Sequence, residues 1–329
     1  MAIDTKKVTL SDVAHSLGVS VSTVSRALRR SPLVDEKTGR RIREEAERLG
    51  YEFKPKRRQA GRAILTIAVL LPAQSDSWLH LFYDPGRLMQ TLQEGFGGTR
   101  TNLVCVPDAD WADLFAHKKL GGIDGCIFAF ADPPAELAER MDQAAIPRIT
   151  LNRVLAGGNY ICRDQKHAMK LHVDRIHSIH GPDAKIAYLH FERIPGVSKS
   201  RYEGFLEHRP RSDTYTVSSL GDIDDRFFSW LRSGGYRALI CFNDVLAVYA
   251  YQAALHRSIR IPEDLALAGF DNSPVRRLTE KPIDSVELGA DEIGRKAAEW
   301  LREAIIDPAV APMREMLPST YVPGSTIAG

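Results

Sequence analysis

The sequence has few cysteines and no long hydrophobic run. Four cysteines are scattered through 329 residues without a C-x-x-C pair: Cys105, Cys126, Cys162 and Cys241. This spacing predicts neither a disulfide framework nor a cysteine metal site. The longest apolar run, Ala63–Ala73, is too short to cross a bilayer, and the N-terminus lacks a signal-peptide pattern. We therefore expect a cytoplasmic protein without membrane contact.

Motifs for catalysis and for metal binding are also missing. The glycines of Gly95-x-Gly97-Gly98 follow a predicted helix rather than opening one, so they do not predict a phosphate loop. Four histidines lie on one predicted helix: His167, His172, His177 and His180. No second cluster completes a ligand set, and we interpret these histidines as a solvated helix face. The sequence predicts no enzyme, no cofactor and no metal.

Charge is divided unevenly along the chain, although the net charge is only +2. Residues 1–62 carry 15 Lys and Arg against 8 Asp and Glu, a net +7. The remainder carries 29 against 34, a net −5. A basic head on a mildly acidic body indicates an anionic partner for the head alone.

The stretch Thr9–Arg30 predicts two short helices joined by a glycine turn. Thr9 and Asp12 are spaced as a capping box, Gly18 closes the first helix, and Ser20 caps the second. Such a pair is a helix-turn-helix. The second helix carries hydroxyl and guanidinium donors on one face: Ser22, Thr23, Ser25, Arg26, Arg29 and Arg30. These groups suit phosphates and base edges, and the alternative is a capped hairpin with a solvated face.

A third helix and a linker follow. Asp35 is the predicted cap of a helix that continues through Leu49, which completes an all-α head over residues 1–51. Residues 52–62 form a polar, basic hinge linker, in which Lys56 and Arg57 are candidate phosphate contacts.

From Leu65 onward, apolar runs alternate with amphipathic helices. The predicted strands are Leu65–Leu71, Asn102–Val106, Gly125–Phe130, Arg148–Leu151, Lys185–Leu189, Thr214–Val217, Ala238–Phe242 and Leu265–Gly269. Two such runs predict an α/β body of two doubly wound parallel-sheet lobes. A cleft between the carboxyl ends of the strands is the expected small-molecule site.

The pattern V-T-L-x-D-V-A-x-x-x-G-V-S-x-x-T-V-S-R-x-L at Val8–Leu28 resembles the DNA-binding headpiece of the lac repressor–galactose repressor family. The resemblance implies a transcriptional regulator, expected to be a repressor, that binds a palindromic operator as a homodimer. It also implies that Val21, Ser22 and Arg26 read bases. Four hydroxyl residues would hold the phosphates: Thr9, Ser20, Thr23 and Ser25.

The body resembles the same family, whose fold is periplasmic-binding-protein-like. The matching pieces are Arg201-x-x-Gly204-Phe205, Asn243-Asp244-x-x-Ala247 and Gly269-Phe270-Asp271. The resemblance implies an N-terminal lobe (63–162 plus 286–315), a C-terminal lobe (163–285 plus 316–329) and an effector held by Arg201, Asn243 and Asp271. The candidates at the lobe crossings are Asn152, Arg153 and Asp164. The alternative is structural: Asn243 and Asp271 cap the following segments, and Arg201 pairs with Glu203 or another carboxylate.

Donors and acceptors of this kind suit a sugar or a sugar derivative. A carboxylated sugar is also possible, since Arg201 and Arg153 could bind an acid. The segment Gln74–Gly86 departs from the family pattern, and its Trp78, Phe82 and Tyr83 are candidates for stacking on the effector, or else for the core or a dimer interface. The alternative functions are sensing of a nucleobase or of a partner protein, and ligand binding without a regulatory role.

Two further departures concern the linker and the C-terminus. Ala60 stands near the position where the family has a leucine that wedges into the minor groove, so we expect a weak DNA kink. The sequence up to Gly329 lacks a heptad repeat, and we expect a dimer rather than a tetramer.

Overall fold

The computed structural model describes residues 8–28, 34–49, 51, 64–72, 79–107, 111 and 122–328. The chain divides into two compact units, Met1–Arg62 and Ala63–Gly329. Among the described residues, no helix combines the length and the apolar character needed to span a membrane. The predicted linker and most of the helix predicted at 110–119 lie outside the described residues.

The head is a bundle of three helices: α1 (Leu10–Leu17), α2 (Val21–Leu28) and α3 (Glu36–Arg48). Small and branched apolar side chains form its core: Val13, Ala14, Val24, Ala27, Ile42 and Ala46. They recur at helical spacing, so one face of each helix is buried and the opposite face meets solvent. The helix-turn-helix prediction is confirmed.

Local caps set the boundaries of these helices. The Thr9 hydroxyl accepts a hydrogen bond from the Asp12 amide, and the Asp12 carboxylate accepts one from the Thr9 amide at 2.7 Å, which is the predicted capping box. Gly18 ends α1 with a φ of 66°, a left-handed conformation that glycine adopts without strain. Ser20 and Asp35 cap α2 and α3 through the amides of Thr23 and Thr38.

The first sheet of the body has six parallel strands in the order β11-β5-β4-β3-β1-β2. The strands are β1 (Leu65–Leu71), β2 (Thr101–Pro107), β3 (Gly125–Ala129), β4 (Arg148–Leu151), β5 (Tyr160–Arg163) and β11 (Arg314–Leu317). Its described helices are α4 (Pro85–Gly95), α5 (Ala135–Gln143) and α10 (Ala290–Ile306). We call this sheet and its helices the N-terminal lobe.

The second sheet has four parallel strands in the order β7-β6-β8-β9. They are β6 (Ile186–Phe191), β7 (Thr214–Val217), β8 (Ala238–Cys241) and β9 (Ala266–Ala268). The helices are α6 (Gln165–His180), α7 (Pro195–Leu206), α8 (Asp225–Gly234) and α9 (Asp244–Leu255). An antiparallel ribbon joins β10 (Ser285–Val286) to β12 (Tyr321–Val322). We call the second sheet and its helices the C-terminal lobe.

Central strands are buried on both faces, as in parallel sheets covered by helices. Every residue of β3 and of β8 is buried. The eight predicted strands all appear, with ends within about two residues. The short strands β5, β10, β11 and β12 were not predicted. The ribbon strands β10 and β12 have two residues each, too few for a periodic pattern, and β5 and β11 have four each.

The chain crosses between the sheets near residues 163, 286–290 and 317–320, and Arg163 ties these segments together. Its guanidinium donates to the Leu288 carbonyl at 3.3 Å and the Pro318 carbonyl at 2.8 Å, and pairs with Glu292 at 2.6 Å. A Cβ at Gly289 would overlap this guanidinium, and its φ of 64° also favours glycine. The division of residues between lobes stays a prediction.

The prediction of a solvated histidine face on α6 is wrong for His172. This side chain is fully buried, and its Nε2 lies 2.7 Å from the Gly269 carbonyl. Its ring meets Phe270 edge to face at 4.9 Å and also meets Tyr321. The ribbon β10–β12 covers this part of α6, and the helix's own sequence contains no sign of that cover.

Candidate functional site

The head presents one candidate surface on α2. Val21 is 46% exposed and Arg26 is also exposed, whereas Val24 and Ala27 are buried on the opposite face. An exposed valine beside an arginine offers an apolar contact for a thymine methyl and a fork of donors for guanine. Arg26 donates no hydrogen bond to any other described residue, so its guanidinium is available.

The predicted phosphate contacts in the head also serve as helix caps. The Thr9 hydroxyl donates to Asp12 at 2.7 Å, and the hydroxyls of Ser20 and Thr23 lie 2.8 Å apart. A hydroxyl has a single O–H donor, and that of Thr9 is already donated to Asp12. Ser22 and Ser25 lie in α2, but their side chains are outside the described part of the chain. Further predicted residues lie wholly outside it: Arg29, Lys56, Arg57 and Trp78.

The centre of the cleft is an ion pair between two predicted residues. Arg201 on α7 donates from Nη2 to Oδ1 of Asp271 at 2.5 Å, and both side chains are at most 5% exposed. Its Nε donates to Gln165 at 2.7 Å, and its Nη1 donates to the Phe242 carbonyl. Asp271 follows β9 with a φ of 95°, a strained conformation for a residue other than glycine. The Arg201–Asp271 pair is therefore rigidly held.

Two aromatic rings enclose the Arg201 guanidinium. Its central carbon lies 4.4 Å from the centre of the Phe270 ring and 4.9 Å from that of Phe242. Stacking of a guanidinium on aromatic faces is favourable in a desolvated site. Both rings follow strands of the second sheet, so they fix the guanidinium at the carboxyl edge of that sheet.

Asn243 caps α9 and faces the same edge. Its Oδ1 accepts a hydrogen bond from the Leu246 amide at 2.9 Å, and the residue is 1% exposed. Its Nδ2 donates no hydrogen bond to the described residues. The following Asp244 is fully buried and accepts hydrogen bonds from the Ser273 amide and the Ser285 hydroxyl, each at 2.7 Å.

The crossing between lobes adds a polar chain to this centre. Asn152, after β4, has its Oδ1 3.2 Å from Nε2 of Gln165, whose other end accepts from Arg201. Asp164 caps α6 by accepting from the amides of Lys166 and His167, both at 3.0 Å. The sequence reasoning missed Gln165, which joins Asn152 of one lobe to Arg201 of the other. Gln165 directly follows the predicted candidate Asp164, and this position is the sequence feature that could have identified it.

Arg153 is the second buried cation of the cleft. Its side chain is 9% exposed and its Nε lies 3.8 Å from Asp132. Its Nη1 donates to the Asn152 carbonyl at 2.8 Å. Burial lowers the pKa of Arg153 to about 10, with further influence from Asp132, Arg201 and Asp271.

Burial also changes the pKa values of the cleft carboxyls. It raises the pKa of Asp271 above the ordinary value, and the neighbouring Arg201 opposes this shift. The fully buried Asp244 has its pKa raised well above the ordinary value, for the same reason. Gly269 must be a glycine because a Cβ there would overlap the Asp244 carboxylate.

In the segment Gln74–Gly86, the described aromatic residues differ in burial. Tyr83 is a core residue, 6% exposed, whereas Phe82 is half-buried. Both rings contact Phe130, with centroid distances of 4.7 and 5.2 Å. The 3₁₀ segment Leu79–Phe82 also lies against α9 and the segment Pro274–Arg277 of the C-terminal lobe. Phe82 therefore stands where the two lobes approach each other.

Unused hydrogen-bonding capacity remains around the ion pair. Arg201 uses three of its five N–H donors, while Oδ2 of Asp271 and Nδ2 of Asn243 have no partner among the described residues. The cleft can therefore donate and accept hydrogen bonds at once. Within the described part, no group of three or more His, Cys, Asp and Glu side chains is arranged to hold a metal ion.

Comparison with known protein families gives two matches. Residues 9–53 match the model "Bacterial regulatory proteins, lacI family", and residues 181–327 match "Periplasmic binding protein-like domain". The matched segments contain the helix-turn-helix and most of the C-terminal lobe, including Arg201, Asn243 and Asp271.

Curated relatives align over nearly the whole chain. The transcriptional regulator DegA of Bacillus subtilis is 28% identical over 88% of both chains. The ribose operon repressor of the same species is 26% identical over 95% of this chain and 97% of its own. The repressor PurR of Vibrio vulnificus is 25% identical, with 91% and 92% covered.

Solved structures give the same fold. A complex of the regulator CelR with cellobiose has a TM-score of 0.64 at 20% identity, covering 97% of this chain and all of that one. The lac repressor dimer bound to operator and an anti-inducer also has a TM-score of 0.64 at 20% identity, with 98% and 100% covered.

Proposed function

The chain belongs to the lacI family of bacterial regulatory proteins, and from this premise we propose that it is a repressor controlled by a sugar or sugar derivative. The head would bind a palindromic operator as part of a homodimer, and the effector would bind between the lobes of the body. Because the operator is chromosomal, the protein would act in the cytoplasm. The curated relatives are transcriptional regulators, and we propose no enzymatic activity.

The unused groups around the Arg201–Asp271 pair carry the effector proposal. A sugar hydroxyl both donates and accepts. Among the described residues, two N–H groups of Arg201, Oδ2 of Asp271 and Nδ2 of Asn243 have no hydrogen-bond partner. Asn152 and Asp164 at the crossing, and the half-buried ring of Phe82, would add polar and apolar contacts to the same ligand.

The DNA proposal rests on the exposed face of α2. Val21 and Arg26 would contact base edges, with Ser22 beside them, while phosphates would be held by Thr9, Ser20, Thr23, Ser25, Arg29, Lys56 and Arg57. The basic head, with a net charge of +7, supports the same assignment.

Calorimetric titration of the full chain with neutral sugars, sugar acids and nucleobases tests the effector proposal. We expect a sugar or sugar derivative to bind, and Asp271→Asn to weaken its binding about ten- to a hundredfold, because buried partners lose a charge-assisted bond. Arg209→Ala is the matched control. It breaks another arginine–aspartate pair, with Asp213 at 2.8 Å, and both residues come after the C-terminal end of α7. Binding of a nucleobase without binding of any sugar would contradict the proposal.

A further inference from the structure

Arg153 is a buried cation with little to bind. A guanidinium has five N–H donors. Arg153 makes one hydrogen bond to the described residues, to the carbonyl of the residue before it. Its nearest carboxylate, Asp132, is at 3.8 Å, beyond hydrogen-bonding distance, and is 64% exposed. Burial of a charge is costly unless an ion or several hydrogen bonds compensate it. Among the described residues, Arg153 therefore has only one hydrogen bond and one long ion pair to compensate its burial.

The other cleft arginine has its partner already. Arg201 makes three hydrogen bonds, one of which is its direct ion pair with Asp271 at 2.5 Å. An acid entering the cleft would have to break this buried pair to use all the donors of Arg201. At Arg153 it would displace only the longer ion pair with the exposed Asp132, at 3.8 Å, so the two arginines have different roles.

The first turn of α7 lies beside Arg153, from the opposite lobe. Its N-cap residue is Ile194, which provides no side-chain hydrogen bond to the amides of the first turn. A Cβ added to Gly196 in this turn would be 3.6 Å from Cδ of Arg153 and 3.9 Å from Oδ2 of Asp132. Arg153 and Asp132 thus both lie against the positive end of a twelve-residue helix.

The charges near this place favour an anion. Among the buried side chains of the cleft, Arg153 and Arg201 carry positive charge and Asp271 carries negative charge, while burial raises the pKa of Asp244 and so favours its uncharged form. Asp132 adds a negative charge, but it is largely exposed to water, which screens it and leaves it free to move away.

We propose that Arg153 and the first turn of α7 bind an anionic group of the effector, and that the effector is a sugar acid. This inference rests on the proposed function, since it assumes that a sugar occupies the cleft. A carboxylate matches the guanidinium fork in a bidentate arrangement. By contacting both lobes, the acid would also hold the cleft closed.

Matched ligands test this inference on the full chain by calorimetry: glucose, galactose, glucuronate, galacturonate, gluconate and glucose 6-phosphate. We expect at least one acid to bind and its neutral counterpart to bind about ten- to a hundredfold more weakly. Binding of the phosphate ester in preference to every acid would overturn the carboxylate assignment. Preference for a neutral sugar would overturn the inference and leave the proposed function intact. Binding of no sugar of either kind would overturn both.

Three variants locate the anion. Arg153→Gln should remove the preference for the acid, while Arg153→Lys should keep part of it through a single point charge. Asp132→Asn is the control, and it should strengthen acid binding a fewfold because it removes a competing carboxylate. Melting temperatures and operator binding without ligand establish that the variants are folded. Unchanged acid binding in Arg153→Gln, or weaker acid binding in Asp132→Asn, would overturn the inference.

Discussion

The candidate sites of the head and of the cleft are built in opposite ways. In the head, the described candidate side chains lie within Thr9–Arg26 and are exposed or half-buried, and each cap acts on an amide three positions away. The cleft is built from residues far apart in the chain and almost fully buried. Arg201 and Asp271, for example, are 70 residues apart.

This difference determines what a substitution does. An exposed side chain such as Arg26 can be removed without leaving any described partner unpaired. A cleft side chain is also part of the body's structure, so its removal affects both binding and folding. The head can therefore change specificity at low cost in stability, whereas the cleft cannot.

The largest expected effect is on stability in the cleft. Arg201→Ala leaves Asp271 buried without its cation and should lower the unfolding free energy by about 3–5 kcal/mol, measured by urea denaturation. The double variant Arg201→Ala, Asp271→Asn should recover part of this loss, because no unpaired charge remains. Arg26→Ala, the counterpart in the head, should have no measurable effect on stability. An Arg201→Ala variant as stable as the parent protein would contradict this expectation.

The second effect is a dependence of stability on pH. Burial lowers the pKa of His172 to about 4, so between pH 6.5 and 4 the unfolded chain binds a proton that the folded chain does not. The stabilising contribution of neutral His172 to the unfolding free energy is complete above pH 6.5. It is lost as the pH falls toward 4, by up to about 3 kcal/mol. His172→Gln should flatten the profile over this range. His15→Gln, at an exposed position of the head, should leave it unchanged.

The third effect is on DNA recognition. Arg26→Ala should weaken binding to the operator by about 1–3 kcal/mol and binding to random DNA much less, because it removes a base contact. Effector affinity should not change. Fluorescence anisotropy with operator DNA and with random DNA, over a range of salt concentrations, measures the loss of binding free energy on each. Equal losses on the two DNAs would mean that Arg26 contacts only phosphate.

The smallest effect concerns a cap in the head. Thr9→Ala removes the hydroxyl that caps α1 and should destabilise the head by about 1 kcal/mol, seen by thermal denaturation. Thr9→Ser retains the hydroxyl and serves as the control. If Thr9→Ala weakens DNA binding without any loss of stability, and Thr9→Ser changes neither, the hydroxyl acts on DNA rather than on the helix.

Much of the fold could be predicted because its signals are local. The caps at Thr9, Ser20 and Asp35 each act within three residues. The alternation of strands and helices is visible as a repeated apolar pattern. The burial of His172 could not be predicted, since it depends on a ribbon that includes Tyr321. The role of Gln165 depends equally on Asn152 and Arg201, which lie on different elements.

Residue patterns were enough to predict the resemblance to the family, the helix-turn-helix and the polar residues that could line a cleft. Only the folded chain shows how those residues divide their bonds: Arg201 is paired with Asp271, Asn243 caps a helix, and the nearest described carboxylate to Arg153 is that of Asp132 at 3.8 Å. The physical reason is that residue type specifies how many hydrogen bonds a group can make. Which of those bonds are already made depends on contacts between distant segments, and these exist only in the folded chain.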